Sequence, residues 1–113
     1  MSPAELTAII EQALQTVLPV EDFELTESFD GNGIDVSGDD WTWHVEDDFA
    51  YLAIDDEPDD ASAYAAAIEK HLTASVISAL RQIDPATLIV LCDRLAASGD
   101  PISLVFADML RPE

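Results

Sequence analysis

An α+β fold, with an N-terminal helix, a four-stranded antiparallel meander and three C-terminal helices packed on one sheet face, is predicted by the apolar periodicity of this 113-residue chain. The period is helical up to Leu18, becomes two between Phe23 and Ile54, and is helical again from Ala61 onward. Turn-forming residues fall where it changes or reverses: Pro19, Gly31-Asn32-Gly33, Ser37-Gly38-Asp39-Asp40 and Pro58.

Ser2, Pro3 and Glu5 form the pattern of an N-cap, a first-turn proline and a capping box. Leu6, Ile9, Ile10, Ala13, Leu14, Val17 and Leu18 follow at helical spacing, and Pro19 stops the helix. Phe23, Leu25 and Phe29 then alternate with Glu24, Thr26, Ser28 and Asp30, and Gly31-Asn32-Gly33 returns the chain to a second strand over Ile34 to Val36. In the third strand Trp41, Trp43 and Val45 alternate with Thr42, His44 and Glu46 before a turn at Asp47-Asp48. The fourth, Phe49 to Ile54, is apolar on both faces, the pattern of a central strand.

Tyr64, Ile68, Leu72, Val76 and Leu80 make the stripe of a helix spanning Ala61 to Gln82, with Asp59 and Asp60 as caps and first-turn anions. Asp84-Pro85 starts the next helix, which ends near Ser98-Gly99, and Asp100-Pro101 starts the last, which reaches Leu110. The length suits a single domain over residues 1–113.

Charge divides this domain in two. Residues 1–60 contain eighteen of the twenty-four Asp and Glu residues and no Lys or Arg, whereas residues 61–113 set six acids against Lys70, Arg81, Arg94 and Arg111. The acidic half, helix plus meander, therefore carries about −18 and the helical half about −2 of the net −20. Disordered acidic chains share such a charge but not the 49% hydrophobic content, so this chain is expected to fold despite its self-repulsion. A surface adapted to high salt would be acidic all over, and the near-neutral second half and the mean hydropathy of +0.12 argue against that origin.

Several function classes find no support. The motifs of serine hydrolases, P-loop enzymes, zinc proteases and dinucleotide binders are absent, and neither His44 nor His71 has a nucleophile at a recognised spacing, so no enzyme and no cofactor is expected. Asp35, Ser37, Asp39 and Glu46 match EF-hand positions 1, 3, 5 and 12, but Asp40 stands where the turn needs Gly, so no metal site is expected either. Cys92, among Leu88, Ile89, Val90, Leu91 and Leu95, reads as a buried thiol. No apolar run approaches the ~18 residues of a membrane span and the N-terminus has no basic n-region, so a cytoplasmic location, in the producing cell or an infected host, is expected.

The remaining signal is the acid itself. Eighteen charges correspond to about 30 Å of duplex at ~1.7 Å per charge, about nine base pairs and one face of a small domain. The expected function is a binding protein that engages a basic nucleic-acid-binding partner, such as a nuclease, a CRISPR effector or a DNA-binding regulator, and not nucleic acid or a membrane. DNA-mimic inhibitors and nuclease immunity proteins share this charge and size. The expected contact residues are Asp39, Asp40, Glu46, Asp47, Asp48, Asp55, Asp56 and Glu57, with Trp43 as an aromatic anchor ringed by acid. The alternative is a small acidic chaperone of the secretion-chaperone type that holds an extended client in an apolar groove. The apolar C-terminal helices, including Ile102, Leu104, Val105, Phe106, Met109 and Leu110, suit either the domain core or a homodimer interface.

Overall fold

A computed structural model describes residues 2–18, 21, 23–27, 33–46, 48–56 and 58–111. The expected turn at Gly31-Asn32 and the strand positions Phe29 and Asp30 lie outside the described residues, as do Asp22, Asp47 and Glu57. The element order is α1 (Pro3–Gln15), β1 (Glu24–Glu27), β2 (Gly33–Ser37), β3 (Trp41–Glu46), β4 (Ala50–Ile54), a 3-10 turn (Ala61–Ala63), α2 (Tyr64–Arg81), α3 (Pro85–Ala97) and α4 (Pro101–Leu110). This is the predicted α+β architecture.

Among the described residues, three of the four α-helices begin with the same device. Ser2, Asp84 and Asp100 accept from the backbone N–H groups of Glu5, Thr87 and Ser103, and a proline follows each cap, where its missing N–H costs nothing. The Ser2 pattern was a visible helix start, but α1 ends at Gln15, earlier than Leu18, and the chain leaves it through a turn in which Val17 and Leu18 donate to Leu14 O.

The strands pair antiparallel in the order β1-β2-β3-β4. Their register puts Leu25, Val36, Trp43 and Leu52 in one row on the inner face and Thr26, Asp35, His44 and Tyr51 in one row on the outer face. Trp41, Trp43, Val45, Ala50, Leu52 and Ile54 are buried together with Leu6, Ile10 and Leu14 of α1, Ile68, Leu72 and Leu80 of α2, Leu91 and Leu95 of α3 and Phe106 of α4 in one apolar cluster. At its centre the Trp43 and Phe106 rings meet edge to face, 5.1 Å between centroids and 73° between planes. Cys92 is also in this core, its thiol donating to Ala107 O at 3.4 Å.

Two expectations are corrected. β4 is an edge strand, not a central one: its inward residues Ala50, Leu52 and Ile54 are buried, while Tyr51 on the outer face is 39% exposed. Apolar character on both faces therefore did not mean burial on both. The free side of β4 is instead closed from above, where the Leu52 N–H, which points away from β3, donates to Ser103 Oγ of α4 at 2.9 Å. Ser103 is fully buried and its hydroxyl in turn donates to the Asp100 cap at 3.3 Å.

The second correction concerns α2, which is broken at Thr73, where φ is 59° and ψ is 151°. Positive φ is costly for a β-branched side chain. The Thr73 hydroxyl accepts from Val76 N at 3.3 Å, capping the segment that follows. No helix among the described residues is long and apolar enough to cross a membrane.

Removing the hydroxyl in Ser103→Ala leaves the Leu52 N–H buried without a partner, which should cost about 1–3 kcal/mol in chemical denaturation and speed hydrogen exchange at Leu52. Burial pushes the Cys92 thiol pKa up from its ordinary value, outweighing the lowering by Arg111. The folded chain should therefore resist a thiol reagent at pH 8 and react once unfolded. Because the thiol stays protonated longer when folded, its contribution to stability is complete below the unfolded-state pKa and is lost as pH rises through the folded value. Reaction of the native chain at the free-thiol rate would contradict the packing of α3 on α4.

Candidate functional site

The hairpins divide the acidic residues between the two ends of the sheet. At one end Asp39 and Asp40 form the two-residue turn between β2 and β3, closed by the bond from Gly38 N to Trp41 O at 2.9 Å. A Cβ at Gly38 would collide with the Trp41 indole, so this glycine is required by close approach. Asp55 N donates to Asp40 O at 3.0 Å, which brings the Asp55-Asp56 segment alongside the turn. All four of these residues are exposed.

The chain continues past this end through Asp59 and Asp60, also exposed. The Asp60 carboxylate accepts from Ser62 N at 3.1 Å, and this bond, helped by the Ser62 hydroxyl, holds its pKa below the ordinary value. Asp60 thus caps the 3-10 turn, as expected; Asp59 makes no cap bond among the described residues. Asp40 Oδ2 also lies 3.5 Å from His71 Nδ1 on α2, which ties the acidic turn to the helical layer.

At the other end lie Glu46 and Asp48, five strand steps from Trp41 and so about 17 Å away. Asp48 is exposed, whereas Glu46 is half-buried with its carboxylate 3.7 Å from His44 Nε2. The expected contact residues are therefore split: Asp39, Asp40, Asp55 and Asp56 come together, Asp48 is remote, and Glu46 is engaged with His44. Asp47 and Glu57 lie outside the described residues.

Trp43 does not fit its expected role as an exposed anchor. Its side chain has no exposed surface, it packs on Phe106, and its Nε1 has no hydrogen-bond partner among the described residues. Its alternation with Thr42 and His44 was legible, but which face of β3 would meet the helices was not.

One pair was not foreseen. His44 Nδ1 lies 2.5 Å from Asp35 Oδ1 in the middle of the outer face. Opposed residues that do not exchange backbone bonds bring their side chains closest, and Asp35 and His44 are such a pair, since the Gly38–Trp41 bond sets the alternation. An ionised carboxylate offers only acceptors, so with Asp35 ionised it is His44 Nδ1–H that donates. Counting back from a two-residue Asp39-Asp40 turn would have found it. The EF-hand-like positions Asp35, Ser37, Asp39 and Glu46 are spread along this hairpin instead of around a loop, and no group of three or more metal-ligating side chains occurs among the described residues.

Away from the acids, an open groove of about 310 Å³ is lined by Ile9, Gln12, Ala13 and Thr16 from α1 and the turn after it and by Ala79, Gln82 and Ile83 from the end of α2 and just beyond. Comparison of the chain with protein-family models, curated proteins and solved structures gives no significant match, so the functional reading rests on the residues themselves.

Proposed function

We propose that this chain is a non-enzymatic binding protein whose carboxylate-rich sheet end occupies the basic nucleic-acid-binding surface of a partner protein and so blocks nucleic acid competitively. The observation that carries this reading is the grouping of the exposed residues Asp39, Asp40, Asp55 and Asp56 on two hydrogen-bonded backbone segments, within a sixty-residue stretch that has no Lys or Arg. Carboxylates left without internal Lys or Arg partners, Asp40 alone among the four having a histidine, His71, within 4 Å, offer their acceptors to the arginines and lysines that otherwise hold phosphates. The longest dimension of the fold, 33 Å, is close to the duplex length that carries eighteen charges. Charge of this kind acts mainly on encounter rate and partner choice, since each exposed ion pair contributes little by itself.

The chaperone alternative would act elsewhere, through the groove between α1 and α2. None of the carboxylates that dominate the chain lines this groove, and the acidic reading is preferred because it accounts for them.

The direct test is displacement. At moderate salt the chain should elute a subset of lysate proteins from duplex-DNA resin, and a variant with Asp39, Asp40, Asp55 and Asp56 all changed to Asn should elute them about 30-fold less effectively, at about 0.5 kcal/mol for each exposed pair. Equal elution by the two proteins would overturn the proposal. Thermal unfolding in about 10 mM salt should still show a cooperative transition, because the helical layer is near neutral and the core is apolar. A chain that folds only in molar KCl would favour salt adaptation over a specific acidic surface.

A further inference from the structure

The two edges of the sheet are treated differently. The β4 edge is closed: α3 and α4 pack against it and Ser103 satisfies the outward Leu52 N–H. The β1 edge has no such cover among the described residues, because the main sheet contacts of α1 go to β2 and β3. The bond from Gly38 N to Trp41 O fixes which β2 groups face β3 and which face β1, so Glu24 and Thr26 exchange backbone bonds with Ser37 and Asp35. Leu25 and Glu27 therefore aim their N–H and C=O groups at the open side, and no hydrogen bond from another described residue reaches them.

We propose that this edge accepts an extended, basic segment of the partner, which adds beside Glu24–Glu27 as a fifth strand. The proposal rests on the acidic-surface reading and names the conformation in which the partner binds. Main-chain bonds to Leu25 and Glu27 supply the docking, and charge selects the occupant. Glu24 and Glu27 project to opposite faces of β1, so a strand with cationic side chains on both faces meets an acid on each. A second copy is disfavoured on the same ground. Antiparallel pairing of two β1 strands would bring Glu24 and Glu27 of each copy onto one short ladder, between molecules of net charge −20.

The test uses the full chain and the seven-residue peptide Arg-Arg-Val-Val-Arg-Arg-Val, which carries Arg on both faces of an extended strand, with three controls. Two are the same peptide N-methylated at every second residue, one in each register, and the third replaces Arg by Glu. Binding of the Arg peptide should slow hydrogen exchange at Leu25 and Glu27 at least tenfold. One N-methylated register and the Glu peptide should each bind at least tenfold more weakly. In the chain, Leu25→Pro removes an outward N–H without touching the β1-β2 bonds and should abolish binding of the Arg peptide. If both N-methylated peptides bind like the parent, with spectral changes confined to Asp39, Asp40, Asp55 and Asp56, the edge proposal is overturned while the acidic-surface reading stands. Equal binding of the Glu peptide overturns the basic identity of the occupant, and no binding by any peptide overturns the edge as a docking site.

Discussion

Everything in this fold depends on burying one face of an acidic sheet. With no Lys or Arg in its first sixty residues, the meander has no strong cation of its own to offset its carboxylates, and a small exposed sheet is marginal even without such repulsion. The compensation is apolar. Val36, Trp43, Val45 and Leu52 are wholly removed from water beneath the helices, each contributing about 1.5–3 kcal/mol, and the edge-on contact of Trp43 with Phe106 joins the centre of the sheet to the last helix of the chain. The most acidic segment and the least charged one are thus mutually dependent. The near-neutral helices provide a surface on which the sheet can be buried without adding to its charge.

That dependence explains which parts of the molecule were legible in the sequence. Period, caps and prolines are local signals, and they located α1, α3, α4 and the strands to within a few residues. The errors lie where the outcome is decided between elements. Phe49, Tyr51 and Ala53 made β4 look buried on both faces, but only the row containing Ala50, Leu52 and Ile54 meets helices, and Phe49 instead lies over the outer face, 5.9 Å from the His44 ring. Trp43 and His44 are neighbours with opposite fates, and nothing in the alternation itself says which row faces inward. Thr73 sits in an unbroken helical stripe without Gly or Pro, so its positive φ leaves no trace in composition.

The site was legible in composition and not in geometry. Sequence located the carboxylates correctly, yet it treated them as one set, whereas the hairpin connections sort them by strand end. The Asp55 to Asp40 backbone bond joins residues fifteen apart, and β3 separates Asp48 from them by its full length. Register also determines which acids are available. Glu46 falls beside His44 and Asp35 falls opposite it, so two carboxylates that look free in the sequence are held by a histidine on the same face.

The treatment of the two edges follows from the same division of charge. An open sheet edge invites pairing with any strand, and a protein can cover it or make it selective. Next to the helical half, covering is possible, because α4 carries a serine that reaches the Leu52 amide while its own helix N-terminus is capped by Asp100. At β1, on the far side of the sheet, no helix supplies a comparable group among the described residues, and what the strand carries is glutamate. Glutamates on a four-residue edge repel copies of the same chain and other acidic strands, yet they leave the main-chain groups of Leu25 and Glu27 accessible to a cationic one. An edge defended by charge alone remains open to partners of opposite charge, and the acidity that opposes pairing of this edge with a copy of itself is also what would select the strand it accepts.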